Sequence, residues 1–585
     1  MVASMRHEPF YVTGTWMDEG MGVYAGWAER EDAAGTANPQ RSETGDKVLV
    51  FSGEEYSESA AVQRLKELGH KVGSGRSAHL VHSAEEDPAF FAALNGQFQG
   101  LLVDRRAGAA TLFNDRYASR RIYYHQANDG FYFAAEVKAL LAVRPELRVL
   151  DERGLGEYVS CGCVLEDRTL FKGIRILPWA AAWVFRGGEL AEQGSYFSPA
   201  EWESQGQADT HSYYRDLREV FARNLPHYFN GGGQIALSLT GGLDTRMILA
   251  WHKPAPQSLP CFTFGGANRE SRDVKIARHV AEVCGQTHQV IAVGPDFLSR
   301  FAHYAERTVY LTDGCTGVHH APDLYVNEIA RQVAPIRLTG NYGDEILRRR
   351  MVFRPTMPDD GVFHSEFLQM VEMAAETHGR VFAGNTLTDA ANRQISWFFY
   401  GLAALEASQV EVRSPFLDNE LMRTVYRAPA HHFADGDVRV QMIRDGDPAL
   451  GRIRTDLGYA GRGGPVVSAA TRLWNCATMR AEYACEHADP RWVPGLDRAL
   501  LGRKLEKTFV GIHKFTHFSL WYRNALAPYV REILLDPRTL SRPYLEPAQV
   551  RTMVERHVSG AGNYTPAIHR LITLEHIHRL FVDAP

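Results

Sequence analysis

Between Tyr213 and Leu338 short apolar runs alternate with amphipathic stretches, and that alternation limits the fold more than any other feature of the chain. Tyr213 to Leu225 carries a helical period, Gln234 to Leu239 is an apolar strand, and a helix follows from Asp244. Leu259 to Phe264 and Asp273 to Cys284 repeat the strand–helix order, and Gln289 to Val293 and Pro335 to Leu338 close the series. Strands separated by helical crossovers predict a parallel sheet covered by helices. Beyond Phe363 the pattern is mainly helical.

The residues before this region read differently. Val48 to Phe51, Gly100 to Val103 and Phe131 to Phe133 are short strands bounded by turn residues, with an amphipathic stretch at Ser57 to Leu68. Arg175 to Val184 and Glu189 to Tyr196 look like a hairpin split by Arg186-Gly187-Gly188. Ser198 to Thr210 is polar and aperiodic, which suits a linker. The chain therefore divides into residues 1–205 and 211–585, consistent with a length of 585 at roughly 150 residues per domain.

Composition narrows the function. Hydrophobic residues at 45% and charged residues at 23% are those of a globular protein. Lys+Arg 64 against Asp+Glu 69 gives a net charge of -5, which argues against binding along nucleic-acid backbones. Seven cysteines are too few for a disulfide scaffold, so reduced thiols and a cytoplasmic location are expected. Arg6, His7 and Glu8 leave no apolar core for a signal peptide. The longest apolar run, Ile176 to Phe185, falls short of the roughly 20 residues a membrane span needs.

Two stretches carry chemistry. In the first, the strand from Ile235 runs through Ser238, Leu239 and Thr240 into Gly241-Gly242, and Asp244-Thr245 opens a helix. The glycines allow a tight turn that aims amide N–H groups at an anion, helped by the hydroxyls of Ser238, Thr240 and Thr245 and by the helix N-terminus. Asp244 beside such a cradle suits a Mg²⁺ ligand. The alternative is an ordinary strand–turn–helix corner with a capping side chain. In the second, Arg337 to Glu345, an apolar strand end runs into Thr339, Gly340, Asn341, Tyr342 and Gly343, followed by Asp344 and Glu345. Strand C-termini of one sheet can bring two such loops together. Taken singly, this stretch is equally a polar loop with Asp344 as an N-cap.

Together these motifs resemble the asparagine synthetase family. Thr240-Gly-Gly-Leu-Asp-Thr245 is similar to its Ser-Gly-Gly-Leu-Asp-Ser pyrophosphate loop, and Gly340-Asn-Tyr-Gly-Asp-Glu345 to its Gly-Glu-Gly-Ala-Asp-Glu segment. Glu411-Val-Arg-Ser-Pro-Phe-Leu-Asp418 resembles its Glu-Val-Arg-Val-Pro-Phe-Leu-Asp, and His557, Gly560 and Leu574-Glu575 its last helices. Upstream, Asn114 to Tyr124 and Phe133 to Leu140 resemble segments of class II glutamine amidotransferases.

The resemblance implies a mixed fold, α/β with α+β. A degenerate Ntn-type β-sandwich domain would precede a parallel α/β synthetase domain of the adenine-nucleotide α-hydrolase type, with a helical C-terminal part. It implies ATP and Mg²⁺ as cofactors and adenylation of a carboxylate with release of pyrophosphate, followed by attack of an amine. By resemblance, Ser238, Leu239, Thr240, Gly241, Gly242, Asp244, Thr245, Phe264, Gly265, Thr339 and Gly340 hold the nucleotide, and Asp244 and Asp344 hold the metal. Asp244, Asp344, Asn341, Tyr342 and Glu411 are the candidate catalytic residues.

Four departures from the family's pattern shape the expectation. The family's glutaminase needs an N-terminal cysteine, but position 2 is Val2 and the first cysteine is Cys161. The glutamine-gripping Arg-Gly-x-Pro-Asp signature is missing as well, so the glutaminase chemistry is expected to be lost. Asn341 replaces a Glu or Tyr and cannot act as a base at neutral pH. Asp456 stands where the family usually has a lysine in Arg-x-Lys-x-Gly-Phe, leaving Arg452, Arg454 or Arg462 to supply positive charge.

The expected activity is an amide-forming ligase acting on a small molecule or peptide that bears both a carboxylate and an amine, as in β-lactam synthetases and lasso-peptide macrolactam cyclases. Natural-product biosynthesis would be its setting. An amidating enzyme fed with ammonia and a non-catalytic nucleotide-binding relative stay open, as do a homodimer and a partner protein that delivers a peptide. Nucleic-acid and membrane partners are not expected. His319-His320 and His431-His432 lack zinc-site spacing, Cys161-Gly-Cys163 reads as a turn, and Trp397 to Leu405 reads as core. Gly20-Met-Gly22 with Gly26 lacks the helix a dinucleotide fingerprint requires, and Thr312 to His320 is a candidate substrate loop.

Overall fold

The computed structural model describes residues 1–583 except 34–38, 57–58, 73–76, 267–268, 359, 430–436, 456–457, 459–464 and 488–508. The first half is built on antiparallel strands. These are β1 (Tyr11–Asp18), β2 (Val23–Arg30), β3 (Gln40–Arg41), β4 (Lys47–Glu55), β5 (Gly96–Asp104), β6 (Ala109–Asn114), β7 (Tyr123–Ala127), β8 (Gly130–Ala134), β9 (Arg175–Ile176), β10 (Ala181–Arg186) and β11 (Glu189–Ser195). The six-stranded sheet has the order β11-β10-β6-β5-β4-β3, beside the hairpin β1-β2 and a three-stranded sheet β8-β7-β9. Alternation of the β4 and β5 side chains gives this sheet two apolar faces, one packed against Leu80, Val81 and Phe90 and the other against Trp16 and Ile122.

The second half holds a parallel sheet of β12 (Ile235–Ser238), β13 (Cys261–Gly266), β14 (His288–Val293), β15 (Ile336–Leu338) and β16 (Glu411–Arg413), in the order β14-β13-β12-β15-β16. Crossover helices Asp244–His252, Arg272–Val283 and Ala321–Val333 join these strands, and helices follow to the end of the described chain. The chain winds from β12 outward to β14, then returns to pair β15 with the other side of β12. Strand order therefore reverses between β12 and β15. The crevice outside the C-terminal ends of strands at such a reversal is where open α/β sheets bind ligands.

Several sequence expectations need correction. Arg175 to Val184 is not one strand: Pro178 and Ala180, at φ +53°, break it, and β9 pairs with β7 while β10 pairs with β6. The expected linker contains a short helix, Pro199–Glu203, started by a capping box between Ser198 and Glu201 and anchored by buried Trp202. Pro335 to Leu338 does not close the parallel series, because β16 adds a fifth strand. Gly22, at φ +66°, ends the turn of the β1-β2 hairpin.

The two halves share one core. Tyr123, Leu140 and Val159 from the first lie in the same buried cluster as Phe262, Val309, Leu324 and Leu571 from the second. Buried ion pairs bridge the seam. Arg413 donates twice to Glu54 (2.6 Å each), Arg120 Nη2 donates to Glu411 (2.8 Å), Arg30 also donates to Glu411, and Lys138 Nζ donates to Asp313 (3.1 Å). Segments recognisable in the sequence thus fasten one half to the other.

Candidate functional site

Both glycine-bearing loops emerge at the reversal between β12 and β15. The first leaves β12 through buried Leu239, whose N–H donates to Phe262 O (2.8 Å) and whose carbonyl accepts from Thr263 Oγ1 (2.8 Å). Ser238 is buried at the end of the strand. The turn is held by two of its own side chains and by one from helix Arg272–Val283: Gly242 N–H donates to Thr240 Oγ1 (3.2 Å), Thr240 N–H to Thr245 Oγ1 (3.4 Å) and Gly241 N–H to Asp273 (2.6 Å). Beneath it, fully buried Arg246 donates to Gly241 O (3.1 Å) and to Ile453 O, which fixes the height of the loop.

The second loop leaves β15 with Thr339 N–H donating to Arg413 O (2.9 Å) of β16. Thr339 Oγ1 donates to Asn341 Oδ1 (2.8 Å), Ser414 Oγ donates to Asn341 O (2.6 Å), and Tyr342 turns the chain at φ +72° into helix Gly343–Leu347. The two loops touch. A Cβ on Gly340 would sit 2.6 Å from Asp244 Cβ, and one on Gly343 would sit 2.4 Å from Asp244 Oδ1. Only glycine permits this approach.

Asp244 and Asp344 converge on one cation. Arg439 Nη1 donates to Asp244 (2.7 Å) and Arg439 Nη2 to Asp344 (2.8 Å) and Asp437 (2.6 Å). Arg350 and Arg348 reach Asp344 from the other side at 2.8 and 3.2 Å. The charge states diverge accordingly. Burial raises Asp244 to about 6 against the pull of Arg439, with Asp344 and Asp437 adding to the rise. Burial also opposes the charge on Asp344, but the guanidiniums of Arg439, Arg350 and Arg348 hold its carboxyl below the ordinary range. Glu345 is lifted to about 7 by burial and by the charges of Asp344 and Asp244. Arg439, itself buried, is kept firmly charged by its three carboxylate partners.

The other expected site residues scatter around this centre. Asn341 faces its own loop. Tyr342 meets Phe399 at a tilt (6.3 Å between ring centres), and burial raises its hydroxyl. Phe264 lies against Arg337 (5.1 Å), and Gly265 gives way to Val290, 2.8 Å from where its Cβ would stand. Glu411 is not brought beside Asp244: it opens β16 and is tied up by Arg30 and Arg120 at the seam between the halves. Asp456 and Arg462 lie outside the described residues, as do His431 and His432. Arg454 donates to Thr471 (3.2 Å), and Arg452 is exposed.

Thr312 to His320 is largely interior: buried Asp313, at φ +51°, accepts from the backbone N–H groups of Val137 (2.6 Å) and Lys138 (3.2 Å). Cys161 and Cys163 flank a helix-ending Gly162 at φ +73°, and burial raises both thiols. Trp397, Tyr400 and Leu405 are buried.

Arg439, Asp437, Asp273 and Arg246 belong to the site without having been singled out from the sequence. The one local signal was Asp437-Val-Arg439, an acid and a base two apart at a helix start, where Asp437 caps Arg439 N–H (3.1 Å).

A cavity of about 720 Å³ lies at the seam and is lined by residues of both halves. Val2, Trp27, Phe131, Arg30 and Arg120 line it from the first half, and Tyr342, Glu411 and Ser414 from the second. Val2 is seated on Gly26, where its Cγ2 stands 2.4 Å from the place of a Cβ. No cysteine is among the described residues lining this cavity.

Residues 1–197 match the glutamine amidotransferase domain family, and residues 216–356 match the asparagine synthase family. Together, in this order, the two matches support an asparagine synthetase-like family member. Asparagine synthetase [glutamine-hydrolyzing] 1 of Bacillus subtilis (strain 168) is 21% identical over 312 residues, covering 52% of this chain and 48% of that protein. Asparagine synthetase [glutamine-hydrolyzing] 3 of the same organism is 23% identical over 437 residues, 65% of this chain and 69% of that protein. A putative asparagine synthetase [glutamine-hydrolyzing] of Mycobacterium tuberculosis (strain ATCC 25618 / H37Rv) is 25% identical over 370 residues, 60% of this chain and 56% of that protein. The match thus spans about half the length of the first and third of these relatives. A solved glutamine phosphoribosylpyrophosphate amidotransferase from B. subtilis, complexed with ADP and GMP, is alike over 45% of this chain and 50% of that chain. Its identity is 12% and its TM-score 0.21, too low to carry an argument.

Proposed function

We propose that this protein is an ATP-dependent ligase that adenylates a carboxylate, releases pyrophosphate, and passes the acyl group to an amine. The observation that carries this reading is the contact between the two loops, which sets Asp244 against Gly340 and Gly343 at the reversal of the sheet. Two hard carboxylates beside a glycine turn and a helix N-terminus fit Mg²⁺-ATP. Asp244 and Asp344 would hold the metal, which supplies charge stabilisation to a leaving pyrophosphate. Arg439 neutralises the same two carboxylates and keeps them within reach of a single cation. Asp273 and Thr240 hold the amides of Gly241 and Gly242 in the turned geometry that a pyrophosphate would meet.

The amine is read as part of the substrate, as in the β-lactam synthetases and lasso-peptide macrolactam cyclases that this chain resembles. Val2 in place of a nucleophilic cysteine supports that reading, because a thioester with glutamine has no sulfur to form on. A second reading is amidation by ammonia, favoured by the cavity whose lining includes both Val2 and Tyr342. Incubation with ATP, Mg²⁺ and a panel of amino acids and peptides, with ammonia, glutamine or neither, separates the two. AMP, pyrophosphate and an intramolecular amide without added nitrogen are expected, with no glutamate formed from glutamine. A requirement for ammonia would favour the second reading, and ADP with phosphate would overturn both.

A further inference from the structure

We propose that His70, His82 and Glu85 form a binding site for a divalent transition-metal ion of the zinc class. The site is remote from the ligase centre and independent of it. Helix Ser59–Glu67 ends at Gly69, φ +95°, and His70 N–H closes the turn by donating to Leu65 O (3.0 Å), which fixes His70 in place. Helix Leu80–Glu86 is pinned to the six-stranded sheet by Leu80, Val81 and Ala84. His82 and Glu85, three residues apart and so on one face, share a helix side with access to His70. The two imidazole rings are 5.0 Å apart between centres, and one ligand atom from each of the three residues lies within 4.8 Å of the others. His82 and Glu85 are closest, at 3.4 Å. Around a tetrahedral zinc with bonds of about 2.0–2.1 Å, ligand atoms stand about 3.4 Å apart, so small side-chain rotations complete the set.

Two imidazoles and a carboxylate are the donor set of zinc-class ions rather than of Mg²⁺ or Ca²⁺. Without a metal the same groups make two His–Glu ion pairs, and the one at His82 is poorly formed. His82 is only 5% exposed, and its Nδ1 stands 3.4 Å from Glu85 without the geometry of a hydrogen bond. A buried ring nitrogen left so costs stability, and a metal bond would satisfy it. Glu86 stands 3.0 Å from His70 Nε2 and adds a second carboxylate, of the kind that orients a metal-binding imidazole.

The test is titration of metal-free full-length protein with zinc chloride against a chromophoric chelator, at about pH 7.5 where imidazoles are neutral. One equivalent bound with a Kd tighter than about 10 µM is expected. His70→Ala and His82→Ala should each weaken that equivalent by about 100-fold or more, and Glu85→Gln by about 10-fold. His279→Ala, an exposed histidine beside Glu282, should leave it unchanged. Equal binding by the wild type and both histidine variants, or no such equivalent, overturns the proposal. If His82→Ala does not fold, cobalt(II) added to the wild type decides instead. Intense visible bands of a four- or five-coordinate nitrogen–oxygen site support the assignment, and the weak spectrum of hydrated cobalt contradicts it.

Discussion

Asp244 and Asp344 share Arg439 but not its protection: Asp344 has two further guanidiniums beside it, and Asp244 has no other among the described residues. Of these two carboxylates Asp244, raised to about 6, gains a proton as the pH falls through that value, after Glu345 at about 7, while Asp344, held low, stays ionised. Metal-dependent turnover should therefore fall about ten-fold per unit below pH 6, as a pH–rate profile would show. At the seam, Glu54 and Arg413 are 1% and 0% exposed, so removing one partner strands a buried charge. Arg413→Met should lower the unfolding free energy by about 3–5 kcal/mol in urea titration, with the double variant Glu54→Leu/Arg413→Met recovering much of the loss. Asp244 and Asp344 were legible in the sequence because each follows a glycine turn. Arg439 was not, since it reaches them from 195 and 95 residues away and no apolar strand run leads into its own neighbourhood.

At the scale of elements, the site depends on how closely two turns approach. Gly340→Ala or Gly343→Ala would place a methyl group within 2.6 Å of Asp244 and must push the loops apart. Each should reduce ligase activity by about two orders of magnitude while circular dichroism and Tm stay near wild type, because a small displacement of positioned groups is costly to rate. Strands β4, β5, β8, β12 and β14 were legible because their apolar runs are bounded by turn residues. β16 was not. Two of its three residues, Glu411 and Arg413, are charged, and they become interior only by pairing with Arg30, Arg120 and Glu54 from more than two hundred residues upstream. Nor could the sequence show that Pro178 and Ala180 send β9 and β10 to different sheets, since register depends on distant partners.

Across the whole molecule, a division at residues 205–211 in sequence does not become a division in packing. One buried cluster runs from Tyr123 and Leu140 through Phe262 to Leu571. Calorimetry should accordingly show a single cooperative transition for the two halves, and a fragment of residues 1–197 should expose apolar surface and bind a hydrophobic dye. The central claim is that the two loops meeting at the sheet reversal make a site for adenylation. The measurement that tests it most directly is exchange of labelled pyrophosphate into ATP. The account predicts exchange that requires Mg²⁺ and a cognate carboxylate and that falls by about two orders of magnitude or more in Asp244→Asn and Asp344→Asn. Exchange at the wild-type rate in either variant would contradict it.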